Sequence, residues 1–206
     1  MDKPLLFGHH RSGNHYLAAL LNENFYHFDE YLSLLQSSQH ALARGIIPNR
    51  KYLYIHRNFT DVSKSVFAMR ARLGLDVDSY EKFLATRYRD MYTGKIAVLM
   101  HMNFINRQGT SRSNSIFFHG IKSTPEEWHT RHIDHYKQLF EGKDNCLMVD
   151  YDKLKSDFIK EMVVIAKFLG FPDVSLRNIN EKVGWWPVPI PKPKSGRTRR
   201  GNRRES

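Results

Sequence analysis

Two short segments carry side chains able to grip phosphate. The first is Gly8-His9-His10-Arg11-Ser12-Gly13, followed by Asn14 and His15. Its glycines have the Gly-x4-Gly spacing of a P-loop. There, small residues let backbone amides curl around a phosphate, and the next helix turns its positive end towards it. A nucleoside triphosphatase also needs Lys and then Ser or Thr after the second glycine, the hydroxyl holding Mg²⁺. Asn14 and His15 stand there instead. The cradle is present without its usual metal ligand, and Arg11 and Ser12 place a cation and a hydroxyl inside it. The second segment is Arg57-Asn58-Phe59-Thr60-Asp61, with Ser65 further along. An Arg at a strand end and a Ser on the following helix could hold one phosphate between them. Each segment also has a plain reading: a glycine-bearing turn without a ligand, and a surface Arg near a solvated Ser.

The chain has eleven histidines, and a neutral imidazole is the natural base near neutral pH. His129, His132 and His135 stand three apart. Such a face could ligate zinc. With no Cys nearby it reads as structural, and no metal is expected.

These groups need a scaffold. Lys3 to Phe7 is short and apolar and runs into Gly8, the pattern of a buried strand. Asn14 to Phe25 has Leu17, Ala18, Leu20 and Leu21 on one helical face. Lys51 to His56 reads as a second strand. Thr60-Asp61 caps a helix running to about Leu73, with Gly74 as its stop. Residues 76–93 look helical, 108–115 form a loop, and 116–119 a short strand. Thr124 starts a helix with Pro125 first and Glu126-Glu127 in the first turn. Asn145 to Tyr151 is a third strand, and Phe158 to Leu169 an amphipathic helix closing at Gly170. Strands alternating with helices predict an α/β domain, three-layered with a mainly parallel central sheet.

Composition narrows the classes. In 206 residues, 41% are hydrophobic and 26% charged, which excludes wholesale disorder. One cysteine, Cys146, excludes a disulfide framework and a cysteine-rich zinc cluster. The opening residues hold only Leu5 to Phe7 as an apolar run, so neither a secretory leader nor a membrane span is expected, and a reducing compartment, the cytoplasm, is. The net charge is +11, from 32 Lys and Arg against 21 Asp and Glu. Residues 192–206 hold seven of those cations against Glu205 alone. Four prolines between 187 and 193 lead into them, so a domain over 1–190 and a basic tail over 191–206 are expected. Such a run is either a solvated extension or a segment that orders on an anion.

Together the two phosphate segments resemble the sulfotransferase family that uses 3′-phosphoadenosine 5′-phosphosulfate. Its first motif reads Pro-Lys/Arg-Ser-Gly-x-Thr/His-Trp, against His10-Arg11-Ser12-Gly13-Asn14-His15-Tyr16 here. Its second reads Arg-Asn/Asp-Pro-x-Asp-x-x-x-Ser, against Arg57-Asn58-Phe59-Thr60-Asp61 and Ser65. The stretch from Asn145 to Phe171 looks like the family's late strand, Tyr-Glu-Asp-Leu turn and Phe-Leu-Gly helix end. The stretch from Glu126 to Tyr136 looks like its Trp/His-bearing helix. His10 and Phe59 stand where the family has proline.

The resemblance implies a P-loop NTPase-like sulfotransferase fold and sulfuryl transfer to a hydroxyl or amine without a metal. Arg11, Ser12, Gly13, Asn14 and His15 would hold the 5′-phosphosulfate, and Arg57 and Ser65 the 3′-phosphate. Arg199-Arg200-Gly201, after Val183-Gly184-Trp185, would close over the 3′-phosphate. His40, 17 residues before Arg57, occupies the family's general-base place. Arg11 would stabilise the departing phosphate. His15 is the second choice of base, and Asp29 or Glu30 would serve where a carboxylate does the work. Trp185 and Trp186 read as a packing anchor near the adenine or acceptor, and Met91, Met100 and Met102 as core. The acceptor is a small molecule or glycan; its pocket lies in loops that carry no signature. No membrane and no specific nucleic-acid partner are expected. Two other classes stay open: a P-loop small-molecule kinase, against which the missing Lys-Ser/Thr argues, and a non-enzymatic nucleic-acid binder driven by the tail, which no recognition motif supports.

Overall fold

The structure, a computed structural model, describes residues 3–35, 40, 42–43, 45–72, 79–91, 122–171 and 175–179, the side chains of Arg72, Arg89 and Met91 excepted. The expectations for Gly74, residues 108–119, Met100, Met102, Trp185, Trp186 and the tail with Arg199, Arg200 and Gly201 lie outside these.

Three strands, Leu5–Gly8 (β1), Tyr52–His56 (β2) and Cys146–Asp150 (β3), pair in parallel in the order β1-β2-β3. Their residues are nearly all apolar, as strands covered on both faces require. The register forms rows: Leu5, Tyr52 and Cys146; Leu6, Leu53 and Leu147; Phe7, Tyr54 and Met148; Gly8, Ile55 and Val149. Successive rows face opposite sides. Leu6, Leu53, Ile55 and Val149 pack against α1 (Asn14–Leu21) and the helix Phe158–Leu169. Phe7, Tyr52 and Tyr54 pack against Tyr136 and Phe140 of the helix Pro125–Phe140. Helices therefore cover both faces of a parallel sheet, the three-layer α/β arrangement that the residue pattern predicts.

Among the described residues, α2 (Phe59–Arg72), α3 (Tyr80–Ala85), α4 (Tyr88–Met91) and α5 (Pro125–Phe140) lie between β2 and β3. After β3 come α6 (Tyr151–Ser156) and α7 (Phe158–Leu169), which Gly170 closes. Thr124 caps α5 in a reciprocal pair with Glu127, the arrangement its Thr-Pro-Glu-Glu start announces.

Three local details differ from the sequence reading. First, α1 gives way after Leu21 to a π-helical turn, Asn22–Tyr26. The Asn24 side chain takes the Leu20 carbonyl and bonds the Arg177 backbone in both directions, so the turn is tied to a distant segment. Second, α2 starts earlier than expected. Its cap is Asn58, whose Oδ1 accepts from Asp61 N at 2.9 Å, not Thr60-Asp61. Third, the expected helix over 76–93 is two, because Thr86 leaves the helical conformation at ψ 135°.

Because all three strands run the same way, their C-terminal ends meet at one edge, the place where open α/β sheets bind ligands. Gly8, His56 and Asp150 end there. Each leads into a segment named for its chemistry or its resemblance: the glycine loop, Arg57 and Tyr151.

Candidate functional site

The loop from Gly8 to Gly13 is held in a special conformation. Arg11 (φ +68°) and Gly13 (φ +106°) both lie in the left-handed region. A Cβ on Gly13 would stand 2.4 Å from Tyr151 Cδ2, and one on Gly8 would stand 2.7 Å from the Ile55 carbonyl oxygen. Close approach to neighbouring strand ends therefore demands both glycines. Ser12 N donates to His9 O at 3.1 Å, and Leu17 N to Gly13 O at 2.9 Å, so the turn passes directly into α1.

Inside the loop, Ser12 is 0% exposed and its Oγ has no hydrogen-bond partner. A buried hydroxyl in that state is costly, on the order of 1–3 kcal/mol, unless a ligand oxygen meets it. Arg11 reaches out of the loop, and its Nε donates to Ser65 Oγ of α2 at 2.9 Å. Ser65, which the second segment pairs with Arg57, is thus also bonded to the glycine loop through Arg11.

Arg57 leaves the end of β2 and lies over the Tyr151 ring, 4.6 Å from its centroid. Its Nη2 donates to Asp61 Oδ2 at 2.9 Å, and Asp152 Oδ1 lies 3.7 Å from its Nε. Asn58 fixes both carboxylates, donating from Nδ2 to Asp61 at 3.1 Å and to Asp152 at 2.9 Å. The Tyr151 ring thus touches the glycine loop through Gly13 and also supports Arg57. One residue at the tip of β3 spans the two anion corners predicted at the tips of β1 and β2.

His40 joins this edge from the segment before β2. Its Nδ1–H donates to Gly8 O at 2.9 Å, and Asn14 Nδ2 donates to the same oxygen at 3.3 Å. With the proton on Nδ1, the lone pair of the neutral ring is on Nε2. Burial lowers the His40 pKa to about 4, with the charges of His15 and Arg11 adding to the effect and the Gly8 bond opposing it. The His10 ring lies tilted against His40, the ring centroids 5.0 Å apart. Burial and then His40 and Arg11 hold His10 well below the usual histidine range. His15 bonds Tyr31 through Nδ1 at 3.3 Å, and burial followed by Arg11 lowers its pKa. Asp29 and Glu30 are exposed.

Each of the three histidines of α5 has a main-chain partner in another segment. They donate to backbone carbonyls: His129 to Arg57, His132 to His40 and His135 to Ala43. Residue type alone could not reveal those bonds, because the acceptors are main-chain atoms of other segments. Among the described residues, no group of three or more His, Cys, Asp or Glu is placed to hold a metal ion, and no helix is long and apolar enough to cross a membrane.

The arrangement offers a cation, an unmet hydroxyl and a helix start for an anion, beside a neutral imidazole that can accept a proton. A family model described as a sulfotransferase domain matches residues 32–183. The match includes His40, Arg57, Ser65, α5 and β3. It starts after the glycine loop, so that loop's chemistry is an observation independent of it. No curated protein and no solved structure matches the chain.

Proposed function

This chain belongs to the sulfotransferase family, and from that premise we propose that it transfers the sulfuryl group of 3′-phosphoadenosine 5′-phosphosulfate to an acceptor hydroxyl or amine. The observation that carries the donor assignment is the glycine loop with its orphaned Ser12 Oγ. A hydroxyl buried without a protein partner, next to a left-handed Arg11 and the start of α1, fits a phosphate oxygen. Bound there, the co-substrate would supply an activated sulfuryl group on a phosphate leaving group.

The residues divide the remaining tasks. Arg11, Ser12 and the backbone of Gly13, Asn14 and His15 hold the 5′ end. Fixed donors there stabilise charge as it grows on the departing phosphate oxygen, without reorganising at the moment of reaction. His40 Nε2 removes the acceptor proton as the acceptor oxygen bonds to sulfur and the bond from sulfur to the phosphate oxygen breaks. The Gly8 carbonyl, already bonded to Nδ1–H, stabilises the imidazolium so formed. Arg57 and Ser65 hold the 3′-phosphate, and the tail residues Arg199, Arg200 and Gly201 close over it. Arg57 is pre-aimed for this by Asp61 and by the Tyr151 ring. The acceptor is a small molecule or glycan, and the setting is a reducing compartment such as the cytoplasm, which the single Cys146 suits.

Two measurements test the reading. Titration calorimetry with adenosine 3′,5′-bisphosphate should show one site, weakened when residues 192–206 are removed. Labelled donor should pass its label to at least one acceptor class in a panel of sugars, phenols and peptides, and His40→Ala should abolish that transfer. A wild type that fails to bind the bisphosphate ends the donor assignment, and a fully active His40→Ala ends the base assignment.

A further inference from the structure

His40 sits in a stretch without regular structure: among the described residues from 40 to 50 there is no helix or strand. A general base needs its nitrogen fixed to within a fraction of an ångström, and a loop cannot supply that alone. Its side chain is tied to Gly8 O. Its backbone is tied from the other side, by His132 of α5.

His132 is 0% exposed, with Trp128, Tyr136 and His9 packed around its ring. It makes one bond at each ring nitrogen. Tyr54 Oη, in the central strand, donates to Nδ1 at 2.8 Å, and Nε2–H donates to His40 O at 3.1 Å. The first bond fixes the tautomer that the second requires. One turn earlier, His129 repeats the device: its Nε2–H donates to Arg57 O at 2.9 Å. Filling this space would need only an apolar ring. Burying two imidazoles costs desolvation, and their bonds to these two carbonyls, with the Tyr54 bond to His132, help to offset it. Both acceptors belong to residues with proposed roles in transfer, and both donors come from one rigid helix, capped at Thr124 and seated on the sheet.

We infer that α5 is a positioning rack for the reaction, with His132 setting His40 through its backbone carbonyl and His129 setting Arg57 in the same way. The functional consequence rests on the sulfuryl-transfer reading; the bonds themselves do not. Neither histidine touches the reacting atoms.

The test begins without any ligand. A long-range proton–nitrogen spectrum of histidine-labelled wild-type protein should show His132 and His129 carrying their proton on Nε2, and His40 carrying it on Nδ1. If either α5 histidine carries it on Nδ1, its bond is not made and the inference fails, whatever any variant does. Next, His132→Phe keeps the ring and removes both bonds, while His132→Gln returns a donor near the position of Nε2. In His132→Phe, His40 should become a mixture of tautomers, and kcat should fall by up to about 10²-fold. KM for the donor should stay within twofold, and His132→Gln should regain part of the loss. His129→Phe should raise KM for the donor at least as strongly as it lowers kcat. A cooperatively melting His132→Phe protein with an unchanged His40 tautomer and unchanged kcat overturns the inference. A wild type that transfers nothing overturns the reaction reading instead, and leaves the tautomer result standing.

Discussion

Arg11 Nε and Ser65 Oγ lie 2.9 Å apart, bonded across 54 residues of chain. The bond joins the loop after β1 to the helix after β2, so the two segments proposed to hold phosphate are tied directly to each other. Ser65 therefore acts first on Arg11, holding its guanidinium in a loop conformation with φ +68°. Ser65→Ala should loosen that grip at the cost of a hydrogen bond to a charged group, about 1.5–3 kcal/mol. Affinity for adenosine 3′,5′-bisphosphate should fall by about ten- to a hundredfold. Arg11→Ala should in addition lower kcat by about 10²–10³, the usual loss of one fixed donor to a leaving oxygen. Calorimetry and steady-state rates on the two variants separate these effects. Equal kcat for Arg11→Ala and Ser65→Ala would contradict the role of Arg11.

The pH dependence of turnover should carry the mark of a ligand-linked histidine. In the empty protein, burial and then the charges of His15 and Arg11 hold His40 to about 4, so it is neutral and able to accept a proton throughout the neutral range. A bound anion beside it acts in the opposite direction and raises that pKa. The acid limb of kcat, which reports the complex, should therefore lie at higher pH than the limb His40 sets in kcat/KM, which reports the free protein. Replacing Arg11 by Gln removes one depressing charge and should move the limb in kcat/KM upward. A kcat limb at or below the kcat/KM limb would exclude His40 as the base.

Much of this architecture is legible in the residues. The three strands announce themselves by dense aliphatic and aromatic runs, α5 by its Thr-Pro-Glu-Glu start, and α7 by the glycine after it. These are local signals, and local physics decides them. The parts that escape are decided elsewhere in the chain. The π-helical turn is tied through the Asn24 side chain to Arg177, 153 residues away. The pairing of Ser65 with Arg11 depends on how far α2 leans over the loop. The roles of His129 and His132 depend on carbonyls that every residue possesses, so no residue type marks them. The choice of His40 as base rests on analogy of position, while its bond to Gly8 O joins two segments that no local signal connects.

Acid should unfold this protein early. Burial is the first cause of the lowered pKa of His9, His10, His40, His129 and His132. In the unfolded chain each returns to about 6.5. A depressed folded pKa means that the unfolded state takes up protons first as pH falls. Stability is then complete above about pH 6.5 and declines below it, and for His40 the decline continues to about pH 4. Denaturant midpoints measured at pH 7.5 and pH 5.5 should differ markedly, with several protons taken up on unfolding at the lower value. His132→Phe, if it folds, should flatten that slope. A midpoint constant across this range would mean that these rings are charged or solvated in the native state.

The contact between Gly13 and Tyr151 makes the sharpest structural prediction. Gly13→Ala faces two separate penalties. Its φ of +106° is a backbone conformation that L side chains rarely adopt, and its Cβ would stand 2.4 Å from the Tyr151 ring. The backbone term is about 1–3 kcal/mol and cannot be relieved by repacking. The steric term disappears if the ring is removed. Tyr151→Ala in the Gly13→Ala background should therefore restore part, not all, of the lost stability. The same truncation in the wild-type background should weaken bisphosphate binding by taking away the surface under Arg57. Thermal melts of the four proteins close the double-mutant cycle. Additive losses would show that the loop can shift away from β3, and that Tyr151 does not couple the two corners.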